Sequence, residues 1–87
     1  MYRIRILERA AEDLARLDKP VRGRIIERID WLAANVHATR LEKLTANLAG
    51  LCKLRVGDYR IVYEVPDNGQ IVVIHLIGHR KDIYRKR

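Results

Sequence analysis

The stretch LCKLRVGDYRIVYEVPDNGQIVVIHLIG, residues 51–78, sets the period of the chain's second half. Leu54 and Val56 alternate with Lys53 and Arg55, and beyond Gly57-Asp58 the residues Tyr59, Ile61, Tyr63 and Val65 alternate with Arg60, Val62 and Glu64. Alternation of this kind marks strands with one buried face, and a short Gly-Asp connection between two of them predicts a hairpin. A two-residue loop sets Val56 against Tyr59, Arg55 against Arg60 and Lys53 against Val62. Cys52, Leu54, Val56, Ile61, Tyr63 and Val65 then share one face, and Lys53, Arg55 and Arg60 share the other. Directly opposed side chains lie about 5 Å apart at Cβ, so facing guanidiniums repel unless an anion lies between them. The register therefore allows two readings of the cationic face: a phosphate-sized anion site, or a solvated face whose cations pair with Glu64 or Asp58.

Downstream, Pro66-Asp67-Asn68-Gly69 predicts a second turn, and Gln70–Ile77 a third strand. That strand is apolar on both faces, as a central strand is, and Gly78 is expected to end it. With the four loop residues unpaired, Arg60 falls opposite His75 and Val62 opposite Val73, although a bulge would flip these pairings. His75 reads as a polar residue tolerated within the sheet or at its rim. The terminal segment HRKDIYRKR brings His79, Arg80, Lys81, Tyr84 and Arg85 back to the same sheet, which shifts the balance towards a basic concavity containing an aromatic.

Upstream, Tyr2, Ile4 and Ile6 alternate with Arg3 and Arg5 and predict a short strand. From Glu8, Ala11, Leu14 and Leu17 follow helical spacing up to Asp18-Lys19-Pro20, where a Pro suits the first turn of a second helix. Val21, Ile25, Ile29, Leu32 and Val36 place one apolar stripe along that helix, over residues 20–36. Residues 37–50 read as a connection with little regular structure. The order is β-α-α-β-β-β, an α+β fold whose antiparallel sheet is covered on one face by an αα-hairpin. The 87 residues form a single domain, 1–87, because a chain of this length buries only about 60–65% of its extended surface and supports one core.

Lys and Arg outnumber Asp and Glu by 18 to 11, a net charge of +7. Residues 51–87 hold eight of these cations against four anions, +4 in 37 residues against +3 in the first 50, so the excess is denser in the C-terminal half. Such a balance favours polyanions, acidic protein partners or anionic membrane surfaces, nucleic acid being the commonest of these. No apolar run approaches the roughly 20 residues that cross a bilayer, so no membrane contact is expected. The N-terminus lacks the apolar core of a signal peptide. With the single Cys52 unable to form an internal disulfide, a reducing cytoplasm is the expected compartment. Cys52 itself reads as a small buried hydrophobe, turned inward by strand parity.

The Tyr59-Arg60-Ile61-Val62-Tyr63 block, and the terminal block running from His79-Arg80-Lys81 to Asp82-Ile83-Tyr84-Arg85, resemble in sequence and spacing the RelE/ParE superfamily of toxins from type II toxin–antitoxin modules. The likeness covers roughly residues 44–87, and residues 1–43 agree in element order alone. In the RelE branch, favoured here, it implies a RelE-like fold and a ribosome-dependent endoribonuclease that cuts mRNA in the A site without metal or other cofactor. It further implies an acidic antitoxin wrapped around the toxin, with a heterotetramer among the assemblies it allows. Lys53, Arg55, Arg60, Arg80 and Tyr84 fall where that branch keeps its working residues. The reaction deprotonates a ribose 2′-hydroxyl, stabilises a dianionic phosphorane and protonates the departing 5′-oxygen.

By that resemblance Arg60 and Arg80 hold the phosphorane, because a guanidinium fork matches phosphate oxygens. Lys53 is the candidate base, like-charge repulsion being one way to lower a lysine's pKa. Tyr84 stacks a base or orients the 2′-hydroxyl, and Arg55, Lys81 and Arg85 hold RNA. A second scheme in the same branch makes Glu42 and His79 the acid–base pair, histidine being the side chain that ordinarily titrates near neutrality. Leu51 stands where well-known RelE proteins carry a second lysine, a departure that weakens the first scheme or favours the second. Two other functions share these residues: inhibition of DNA gyrase, as in the ParE branch, and RNA binding without catalysis.

Overall fold

The computed structural model describes residues 1–45, 48–67 and 69–85. Strand β1 (Arg3–Ile6) is followed by helices α1 (Glu8–Ala15) and α2 (Lys19–Asn35), with Pro20 in the first turn of α2. A short 3-10 turn (Val36–Ala38) leads to β2 (Glu42–Lys43), then β3 (Cys52–Val56), β4 (Tyr59–Glu64) and β5 (Ile71–His79). A second 3-10 turn (Ile83–Arg85) closes the described chain. The expected α+β order stands, with an added two-residue strand in the segment read as irregular.

The five strands form one sheet in the order β1-β5-β4-β3-β2. It is mixed rather than wholly antiparallel, because the helical hairpin carries the chain across one face and returns β5 parallel to β1, Arg3 beside Ile71 and Ile6 beside Ile74. Burial from both sides accounts for the continuous apolar run of β5, which lies between β1 and β4.

Strand parity separates two apolar groups. On the helix side Ile61, Tyr63, Val72, Ile74 and Ile77 pack with Ile25, Ile29 and Leu32 of α2. The stripe predicted for α2 is the one it buries. On α1 the inward positions are Ala10 and Asp13, with Leu14 packed against the core as expected and Ala11 exposed instead of buried; Leu17, beyond the helix end, also packs there. On the opposite, open side Val62 and Leu76 pack with Ile83, and Leu44 and Leu51 lie against them. Ile83 has 0% exposure, so the terminal segment is pinned to the open face.

The β3–β4 hairpin has the expected register, Arg55 opposite Arg60 and Lys53 opposite Val62, around a Gly57 whose φ of +59° favours glycine. The β4–β5 register is different. Glu64 pairs with Val73, two residues further along β5 than expected, and a bulge between Val62 and Tyr63 adds one more. Arg60 therefore lies opposite Gly78, which is inside the strand rather than at its end, and Val62 lies opposite Leu76. The expected pairings of Arg60 with His75 and Val62 with Val73 are thus corrected: the strands part earlier than a four-residue loop requires, and the bulge reverses parity. His75 instead bonds Glu64, Nε2 to Oε1 at 2.9 Å. Asn68 of the second turn, Asn47 of the connecting segment, and Lys86 and Arg87 lie outside the described residues.

Candidate functional site

The Gly57-Asp58 turn is the organising point. Arg60 leaves β4 on the open face, is 7% exposed, and donates from Nη1 to the carbonyls of Gly57 at 3.0 Å and Tyr59 at 2.8 Å. Its guanidinium is fastened to the hairpin end that it faces. The tail reaches the same turn from the other side: the Arg80 N–H donates to the Asp58 carbonyl at 2.8 Å, and Arg80 Nε lies 3.6 Å from Asp58 Oδ1. Arg55, exposed, faces Arg60 across the ladder. Three guanidinium side chains thus gather about two turn residues.

Lys53 stands on the same face, two residues from Arg55, which is about 7 Å along a strand. Glu42 of β2 is its cross-strand partner, and Lys53 Nζ lies 3.7 Å from Glu42 Oε2. Two candidate bases are therefore each other's counter-ion. The open face reads in rows: Arg55, Arg60 and Gly78 near the turn, then Glu42, Lys53, Val62 and Leu76.

His79 is placed differently. It pairs with Tyr59 across the ladder and meets that ring edge-on at 5.4 Å, on the helix side of the sheet, while its Nδ1 accepts the Lys81 N–H at 3.2 Å. Glu42 and His79 are not brought together. They sit on strands three steps apart, about 14 Å, and on opposite faces. Tyr84 and Arg85 lie in the 3-10 turn that Ile83 anchors over the open face, both exposed, and Lys81 is exposed beside them.

Burial raises the Cys52 thiol, partly offset by Lys43, and pushes the Tyr63 phenol up to about 12, with Cys52 and Glu42 adding to the effect. Both point to the helix side, away from the cations. A cleft of about 630 Å³ lined by Leu41, Lys43, Cys52, Glu64 and Pro66 lies at the end of the hairpin remote from Gly57-Asp58 and takes in none of the cations gathered there. No group of three or more His, Cys, Asp or Glu spaced to hold a metal ion occurs among the described residues.

The residues that sequence reading passed over as partners are Asp58, read only as one option among counter-ions, and Asp13. The carboxylate of Asp13, 3% exposed on α1, accepts the Ile77 N–H at 3.0 Å. Its only signal in the sequence is a carboxylate within an apolar helix stripe.

Comparison with known proteins agrees with this architecture. The family model described as the ParE toxin of the type II toxin–antitoxin system parDE matches residues 4–84. Toxin RelG of Mycobacterium tuberculosis is 33% identical over 86 residues, covering 98% of each chain. Toxin RelE of the same organism is 38% identical over 86 residues, covering 97% of this chain and 87% of its own. The toxin–antitoxin complex RelBE2 of M. tuberculosis contains a chain that superposes with a TM-score of 0.81 at 28% identity, covering 91% of this chain and 98% of that one. By these matches the protein is of the toxin class of type II toxin–antitoxin modules. The chain belongs to the RelE/ParE toxin family.

Proposed function

We infer that the chain is a ribosome-dependent, metal-independent mRNA endoribonuclease of the RelE type, acting in the cytoplasm. The observation that carries this reading is the gathering of Arg55, Arg60 and Arg80 around one turn, with Lys53 one step down the same face. In the reaction, Lys53 takes the proton of a ribose 2′-hydroxyl as that oxygen attacks the adjacent phosphorus. Arg80 and Arg55 grip the non-bridging oxygens of the phosphorane, where preorganised charge contributes most. Arg60, immobilised by the Gly57 and Tyr59 carbonyls, supplies fixed positive charge beneath them. The P–O5′ bond then breaks, leaving a 2′,3′-cyclic phosphate and a 5′-hydroxyl. The departing oxygen takes its proton from water, since His79 lies against Tyr59 on the helix side of the sheet, away from Lys53. Tyr84 offers an exposed ring to a nucleobase, and Lys81 and Arg85 hold the RNA backbone. The separation of Glu42 from His79 favours this Lys53 scheme over the Glu42/His79 one.

An acidic antitoxin is the natural silencer, since a chain carrying +7 favours a partner of opposite charge. The test is cleavage of mRNA on translating ribosomes, read by primer extension. Arg80→Ala lowers cleavage at least about 100-fold while general RNA affinity falls only a few-fold. Equal loss of both leaves a non-catalytic RNA-binding module. A second reading, gyrase inhibition, is favoured by the ParE name of the matching family model. A gyrase cleavage assay with purified protein, positive where the ribosome assay is negative, selects it.

A further inference from the structure

The turn that gathers the arginines also carries a carboxylate. Asp58 meets Arg80 twice, through its main-chain carbonyl at 2.8 Å from the Arg80 N–H and through Oδ1 at 3.6 Å from Nε. Nε is the inner nitrogen of the guanidinium. Contact there leaves the outer edge, the two Nη groups, to face a phosphate as a fork. An unrestrained arginine carries about 2 kcal/mol of rotamer entropy, so a carboxylate that holds the inner nitrogen narrows the directions in which the outer edge points. On the far side of the same turn the Gly57 carbonyl holds Arg60 by an outer nitrogen, Nη1, instead. Among the described residues no ion pair engages Arg55 or Arg60, so at this end of the sheet Asp58 is the carboxylate that touches a site cation.

The geometry points to Asp58 as a positioning residue for Arg80 in the ribonuclease reaction read above, a role that rests on that reading. It aims the outer edge of Arg80 at the phosphorane, and its own negative charge weakens the attraction of the resting site for RNA. The two effects separate in kinetics. Removing the carboxylate tightens ground-state binding and slows the chemical step, so KM and kcat fall together. Asp58→Asn keeps an oxygen for Nε but loses the charge, and Asp58→Ala loses both. Either variant keeps the main-chain carbonyl that receives the Arg80 N–H, and at 69% side-chain exposure the position tolerates both.

The experiment is mRNA cleavage on programmed ribosomes by the wild type, Asp58→Asn and Asp58→Ala, alongside ¹⁵N spectra of the Arg80 Nε–H group assigned through Arg80→Lys. KM is expected to fall about two- to three-fold in both variants. The rate falls about tenfold for Ala and distinctly less for Asn. The Nε–H resonance moves in Asp58→Ala. Unchanged rates in both variants, or an unmoved resonance, overturn the positioning role while leaving the ribonuclease reading intact. A wild type that cleaves nothing overturns the ribonuclease reading and this role with it.

Discussion

Arg60 shows how a cation on the open face is built into the fold. A buried arginine is tolerable only with its donors engaged, and Arg60 Nη1 meets two carbonyls of its own hairpin. Its charge is thereby fixed within the fold rather than free to search for a ligand, and Arg55 and Arg80 are left as the exposed partners. Tyr63 gives a pH prediction. An unfolded tyrosine ionises near 10, whereas burial pushes Tyr63 up to about 12. Its contribution to stability is complete below about pH 10 and is lost as pH rises to about 12, because only the unfolded chain releases the proton in that window. Tyr63→Phe should therefore show an alkaline limb of urea stability that is flatter by about 2–3 kcal/mol between those limits. Parallel slopes in the two proteins would contradict it.

At the scale of elements, Asp13 stands in for a missing strand. The β1 ladder stops at Ile6 opposite Ile74, and further along β5 the N–H of Ile77 turns to the carboxylate of Asp13 on α1. This anchors the segment that leads into Gly78, His79 and Arg80. Asp13→Ala should cost about 1–3 kcal/mol in urea unfolding and speed amide exchange at Ile77–His79, while Asp13→Asn, which keeps a carbonyl acceptor, costs less. Equal losses in the two variants would point to helix packing instead. The hairpin was legible in the sequence to the residue, because a short Gly-Asp turn fixes register locally and alternation fixes the faces. The β4–β5 pairing was not, since a bulge carries no compositional mark and each slip moves every later partner. The parallel placement of β1 was equally hidden, being decided by how the helical hairpin crosses the sheet. In the site, the arginines could be gathered from the tail's composition. The face taken by His79 could not, because it follows from the bulge upstream in its own strand.

For the whole molecule, charge sets the behaviour. On the ribonuclease reading, a net +7, densest in residues 51–87, should make RNA affinity steeply dependent on salt. Each phosphate contact on a single strand contributes about 0.7 to the slope of log K against log salt, so Arg55→Ala should lower that slope by about 0.7 on a short single-stranded RNA. A slope that does not change places Arg55 outside the RNA path. The topology has a further consequence for synthesis. Among the described residues β1 pairs with β5 alone, Arg3 beside Ile71, and Ile83, after β5, packs on the open face. A polypeptide lacking β5 and the segment after it has neither a closed sheet nor Arg80, so the arginines meet at the Gly57-Asp58 turn only once the last strand is in place.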